Sequence, residues 1–310
     1  MTSATASATV NKRYDFVLLF DVQDGNPNGD PDSGNQPRID PQSLQGLVTD
    51  VCIKRKIRNA IAVLAGDTPG TELYFQTQDA VYEKRVLNLQ HQRAQTAVKS
   101  DESTDPKAKA DNTAKARKWM CENFYDIRAF GAVMTTGVNC GQVRGACQIT
   151  FARSIDAIVP MEFSITRKSV TTEEEAKKQS QKDGSITGTM GRKNTIPYAL
   201  YRCQGFVNPY LALDTGFSFA DLQLLWDALK GTMWEIDRSA SRGLMCTRGL
   251  YVFEHDSMLG SAPAHELFDR IRIDPLGPEA APRSFDEYRS RIQIEESGLP
   301  GSIKLHRMIG

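Results

Sequence analysis

The chain has 310 residues, 40% of them hydrophobic and 25% charged, enough to bury a full core as about two domains or as one domain with large insertions. Its longest hydrophobic runs, Phe16–Phe20 and Ala60–Ala65, are far short of the ~20 residues a membrane-spanning helix needs. The small, polar start MTSATASATVNK reads as a disordered tail over residues 1–12 rather than a signal peptide, so the expected compartment is the cytoplasm.

Six cysteines (52, 121, 140, 147, 203 and 246) contain no CxxC pair, and the four histidines (91, 255, 265 and 306) add no zinc spacing. Reduced, mostly buried thiols are expected, with no metal and no cofactor. The formal net charge of zero conceals an asymmetry, because residues 51–210 hold 24 Lys and Arg against 16 Asp and Glu. The first fifty residues carry three basic and seven acidic groups, and the last hundred carry eleven and fifteen. A basic middle between acidic ends suggests a track for a polyanion.

Residues 13–22 predict the first strand, a β-branched and aromatic run suited to burial. The loop DVQDGNPNGDPDSGN (21–35) sets Asp24, Asn26 and Asn28 at alternate positions ahead of Gly29, the opening of an EF-hand. Its twelfth position is Asn35, where a bidentate Glu is required, and Pro27 and Pro31 stiffen the backbone. Calcium is therefore set aside. Asp40 then reads as a helix cap with Pro41 at the first position, and Leu44, Leu47, Val48, Val51, Ile57, Ile61 and Leu64 follow at helical spacing as far as Gly66. Lys54, Arg55, Lys56 and Arg58 cluster on the rest of that helix as a candidate phosphate-contacting face.

Residues 71–125 predict polar helices interrupted around Pro106 by KSDESTDPKAKADN, a flexible insertion in an accessory lobe. Glycines are dense over 124–156, where Gly141 and Gly145 bracket Arg144. Such glycines let a backbone approach a ligand, and Arg144 can pair with a phosphate. Neither GxxxxGK[ST] nor GxGxxG occurs here, so a nucleotide-binding loop is unsupported.

The runs FSITRKSV (163–170) and RKNTIPYALYRCQGF (192–206) predict a long hairpin. Its link carries Lys177, Lys178 and Lys182, and its shoulders carry Arg167, Lys168, Arg192 and Lys193, with Met190 and Gly191 just before the returning strand. A basic hairpin of this kind can fold over a single strand and wedge between bases. A helix over Phe219–Ile236 and a closing strand over 244–256 complete the series. Without insertions the order is βαββαβ, the ferredoxin-like order of RNA-recognition modules. Pro209 stands where the RNP signature needs an aromatic, so base stacking on the sheet is not expected.

The segments FDVQDGNPNGDP…RIDPQSLQGLVTDVCIKRKIRN, FYDIRAFGAVM, GQVRGACQITFARSID and MGRKNTIPYALYRCQGFVNP, in order over residues 14 to about 255, are similar to the backbone subunit of the type I-C CRISPR Cascade complex, within the RAMP superfamily. The resemblance implies an α+β fold, a ferredoxin-like, modified RRM palm over 13–310. A helical finger insertion would occupy about 67–125, a protruding thumb β-hairpin about 163–197 and a C-terminal extension about 257–310. It implies copies in a head-to-tail filament along one CRISPR guide RNA, presenting it to a target DNA strand beside other Cascade subunits. By matched motif, Asn26, Asn28 and Arg38 would lie in the loop beside the guide, and Lys54, Arg55 and Arg58 would touch its backbone. Phe130, Gly131, Gln142, Arg144, Gly145 and Gln148 would line the palm and finger groove. Arg167, Lys168, Met190, Gly191, Arg192 and Lys193 would belong to the thumb. The family's Gly-Pro-Val-Gln is Gly145-Ala146-Cys147-Gln148 here, which loosens that turn.

Two alternatives stand beside this reading. Related backbone subunits of type III complexes cleave target RNA with an aspartate in the loop after the first strand, where Asp24, Asp30 and Asp32 lie, and such a carboxylate could hold a catalytic cation. A general single-strand RNA chaperone would need only the basic track.

Overall fold

The computed structural model describes residues 8–76, 85–98, 106–183, 188–277 and 280–310. Its first half comprises β1 (Tyr14–Gly25), β2 (Gln45–Val48), α1 (Asp50–Leu64), α2 (Leu87–Ala97), α3 (Pro106–Asn123), α4 (Tyr125–Phe130), β3 (Gly131–Val133), β4 (Gln142–Arg144), β5 (Cys147–Ile149) and β6 (Ala152–Ala157). The hairpin strands β7 (Met161–Arg167) and β8 (Thr189–Val207) flank α5 (Glu173–Asp183), followed by α6 (Pro209–Thr215), α7 (Phe219–Asp227) and β9 (Leu244–His255). The C-terminal part holds α8 (Ala264–Phe268), β10 (Ile271–Ile273), α9 (Asp286–Arg289), β11 (Ile292–Ile294) and β12 (Ile303–Ile309).

The fold is a mixed helix and strand structure on one large antiparallel sheet, ordered β12-β9-β1-β8-β6-β2, with β5 and β7 also pairing with β8. Counted along the βαββαβ series, the central strands stand fourth, first, third, second. β1 is the inner strand, with Tyr14 opposite both Val207 of β8 and Glu254 of β9. Its first nine residues are buried, because both faces of the sheet are covered. On one face Phe16, Leu18 and Phe20 pack with Ile53, Ile57 and Ile61 of α1 and with Leu225, Trp226 and Trp234 from the helical stretch after Ser218. On the other, Val17, Leu19, Tyr198 and Phe253 pack with Leu267, Ile271 and Tyr288 of the C-terminal part. That second covering occupies the face on which an RNA-recognition module would stack bases.

A third cluster forms a side lobe, in which Ala94, Ala116, Met120 and Phe124 close on Met134, Cys140 and Val143. The lobe thus recruits residues beyond 125. Within the expected flexible insertion, residues 99–105 lie outside the described residues, whereas Pro106 opens an 18-residue helix.

Two sequence expectations change locally. Residues 1–7 of the tail lie outside the described residues, but residues 8–12 are held, as Thr9 bridges Ser218, Val10 N–H donates to Phe217 O at 3.0 Å and Lys12 pairs with Glu254 at 2.6 Å. The first helix begins at Asp50, not Asp40. Asp40 instead closes a turn in which Leu44 N–H donates to the Asp40 carbonyl at 2.8 Å. Leu47 and Val48 then pair with β6 as an edge strand. Thr49 is the true cap, its Oγ1 accepting from Cys52 N–H at 3.2 Å. All six thiols are free and five are buried, burial pushing Cys121 and Cys140 up to about 11 and Cys147 and Cys203 up to about 12. Among the described residues no helix is long and apolar enough to cross a membrane, and no group of three or more His, Cys, Asp or Glu could hold a metal ion.

Candidate nucleic-acid interface

Helix α1 turns its isoleucines to the sheet, which leaves Val51, Arg55 and Asn59, spaced four apart, on the opposite side. That side forms the floor of a cleft of about 880 Å³, walled by Phe75, by Phe130 and Gly131 and by residues 236–242 after the second long helical stretch. Among the described residues its lining carries six cations, Lys54, Arg55, Arg58, Arg85, Arg238 and Arg242, against one carboxylate, Asp237.

Four of the six are ion-paired. Lys54 reaches Asp50 at 2.8 Å, Arg58 reaches Asp126 at 2.7 Å, Arg238 reaches Glu235 at 2.6 Å and Arg242 meets Asp237. Arg55 and Arg85 have no ion pair or hydrogen bond among the described residues, and both are exposed. Among the described residues these two guanidinium groups are thus the cleft cations without an ion pair, while Asp237 is shared between Arg242 and Lys56.

This corrects the reading of α1 as one basic face. Arg58 is buried: its guanidinium lies 4.9 Å from the Phe75 ring centre and 5.3 Å from that of Phe130, and Asp126 also accepts from Tyr74 N–H at 2.8 Å and Phe75 N–H at 3.1 Å. Lys56 is fully buried against Trp234 and bonded to Asp237, and burial pushes its ammonium below its usual range. Both hold the fold together.

A second depression shares Val51, Arg55 and Arg242 with the cleft and extends it to Asn26–Gly29 and Asn35. Asn28 is committed within it, since its Oδ1 accepts from both Thr49 N–H (2.9 Å) and Thr49 Oγ1 (3.0 Å), tying the loop to the helix cap. Asn26 donates through Nδ2 to Asn35 O at 2.8 Å, while its buried Oδ1 has no partner. Arg38 pairs with Asp30 at 3.4 Å and lines neither depression. Asp30 also caps its own short turn, accepting from Asp32 N–H at 3.2 Å.

Other expected residues lie elsewhere. Gly145 does not admit a ligand, because a Cβ there would fall 2.3 Å from Phe130 C and 2.4 Å from Gly131 N. Gly131, at φ 83°, faces Val143 O in the same way, so the two glycines let β3 and β4 close on each other. Gln142 and Arg144 are exposed on β4. Arg144 and Gln148 line a separate pocket with Arg13 and Tyr210, and Gln148 Nε2 donates to Gly145 O at 3.0 Å.

In the hairpin, β7 pairs with the start of β8 from Arg167–Thr189 to Met161–Thr195. Arg167 is turned back on Ser169 O at 2.9 Å and Arg192 lies 3.6 Å from Glu162, while Lys168 and Met190 are exposed. Gly191 packs beside Ile165, and Lys193 shares that face with Phe163. The hairpin base meets the loop where Asn194 Nδ2 donates to Gly34 O at 3.3 Å. Arg85, Arg238 and Arg242 escaped the sequence reading, though the RSASR run after Asp237 carries two of them close together.

The family model of CRISPR-associated protein Cas7 matches residues 12–295. The chain belongs to the Cas7 family. It is 24% identical over 235 residues to a CRISPR-associated protein Cas7 of Haloferax volcanii, covering 72% of this chain and 65% of that protein, so it spans just under two thirds of its relative. Among solved structures, a chain of a CRISPR RNA-guided surveillance complex in a pre-nicking state matches with a TM-score of 0.48 at 13% identity, over 78% of each chain. A second such complex matches at 0.45 and 14%, over 78% of this chain and 68% of the other.

Proposed function

We propose that this Cas7-family chain is the non-catalytic, guide-RNA-binding backbone subunit of a type I-C Cascade complex. Copies line one CRISPR RNA head to tail and present it to a complementary target DNA strand, with other Cascade subunits at their side. The observation that carries this reading is the trough along α1, where the exposed Arg55 and Arg85 have no ion pair among the described residues. Cations and backbone without a base-reading constellation suit a polymer held by its phosphates, while pairing reads the sequence.

In this reading the sheet with α1 and the Ser218–Ile236 helices is the RRM-like palm, the side lobe is the finger and the hairpin is the thumb. The trough ends at Asn35, next to Gly34, whose carbonyl accepts from Asn194 at the base of that hairpin. The test is the affinity of the purified chain for single-stranded RNAs of unrelated sequence at several salt concentrations. Similar affinities that fall steeply with salt are expected. Strong sequence preference or salt-insensitive binding would remove the proposal.

A further inference from the structure

On the sheet face away from α1, β6 and β8 set Arg153 directly opposite Arg202. Residues so paired share a face with Cβ atoms ~5 Å apart, and like charges there are unfavourable. Arg153 leaves the conflict by reaching Asp40 at 2.7 Å. Arg202 does not. Its Nη2 donates to Phe268 O at 2.6 Å, its Nε is buried without a partner, and it makes no ion pair among the described residues. Burial makes the charged guanidinium harder to hold, and Asp269 offsets this from beyond ion-pair range. Both arginines line a cavity of about 470 Å³ with Gln204, Gln45, Phe151 and Pro275. A partly buried cation with an unpartnered buried donor beside a cavity is suited to accept an anion.

We infer that this cavity receives an acidic side chain from a second copy of this chain. Its walls are partly apolar, with Phe151 half exposed, as suits a protein side chain rather than a bare phosphate. Carboxylates of Asp40, Asp269 and Asp274 stand beside the lining residues and oppose a continuous polyanion, whereas a single carboxylate needs only the fork of Arg202. The chain supplies such groups itself, since its first fifty and last hundred residues are acidic while both arginines belong to the basic middle. An acidic patch of one copy meeting the basic cavity of the next is a heterologous contact that propagates. The inference deepens the filament reading and rests on it.

Two variants test it in the full-length chain. Arg202→Gln removes the cation, and Gln204→Glu places a carboxylate two residues along the same face of β8, filling the site from within while keeping the Phe268 anchor. Native mass spectrometry counts copies on a short RNA that holds one and on a long RNA that holds several. Binding of the first copy is expected to stay within twofold of wild type, and loading of later copies to fall at least tenfold in both variants. Unchanged loading by Gln204→Glu overturns the inference, as does an equal loss at the first copy, which would make the cavity a phosphate site. A wild-type chain that binds no RNA removes the guide-RNA reading instead. Sedimentation of the free chain then decides, a wild-type self-association that both variants lose supporting the contact and its absence, or no difference, overturning it.

Discussion

Replacing Asp126 with Ala strands the Arg58 guanidinium in a buried position. The carboxylate is 1% exposed and accepts from Arg58 Nε at 2.7 Å, Tyr74 N–H at 2.8 Å and Phe75 N–H at 3.1 Å, so one deletion leaves a cation and two backbone donors unsatisfied. Breaking a buried pair from one side costs about 3–5 kcal/mol, a large share of a typical total stability. Arg58→Met keeps the volume between Phe75 and Phe130 but removes the charge, and combining it with Asp126→Ala removes both partners. The double variant is expected to recover about 2 kcal/mol relative to the sum of the single losses. Urea denaturation followed by tryptophan fluorescence gives all three values. A loss below about 1 kcal/mol for Asp126→Ala, or strict additivity, refutes the claim that Arg58 is held by the fold rather than free for a ligand.

Lys56 gives a pH test. Burial, only partly offset by the Asp237 carboxylate, sets its folded value below the ordinary 10.5. Between the two values the unfolded chain holds the extra proton, so stability rises with pH by up to ~1.4 kcal/mol per unit until 10.5 is passed. Lys56→Met should lose that rise in pH-dependent denaturation, and parallel curves for the two proteins would contradict the assignment. Thr49→Ala removes both the helix cap and a bond to Asn28 and should cost about 1–2 kcal/mol by the same assay; a neutral result would mean that the loop is not tied to α1. Assembled complex incubated with complementary RNA and Mg²⁺ should leave that RNA uncut on a denaturing gel, whereas regularly spaced cuts abolished by Asp30→Ala would restore the nuclease alternative.

The long elements were readable because their signals are local. The apolar run of β1, the isoleucine stripe of α1, the paired arms of β7 and β8 and the closing strand β9 all lie where the residue pattern placed them, since burial fixes their periodicity. The start of α1 was misread because Asp40-Pro41 imitates a helix start, while the real cap depends on Asn28, twenty-one residues upstream. The fate of the basic cluster was hidden for the same reason. Lys56 and Arg58 look like Arg55 in sequence, but their carboxylates arrive from 181 and 68 residues away. The C-terminal covering of the second sheet face is built from strands of three residues and helices of four or five, too short for a periodic signal. Gly145 reads in sequence as room for a ligand, but the close approach it allows is of backbone to backbone beside Phe130 and Gly131.

The central claim is that the exposed cations of the trough hold RNA by its phosphates, and Arg55→Gln tests it most directly. Arg55 has no partner within the described fold, so its loss should leave stability within about 0.5 kcal/mol of wild type. The slope of log affinity against log salt for single-stranded RNA should become shallower by about 0.7 to 1, equally for every sequence tried. An unchanged slope in a folded Arg55→Gln protein would place the RNA elsewhere.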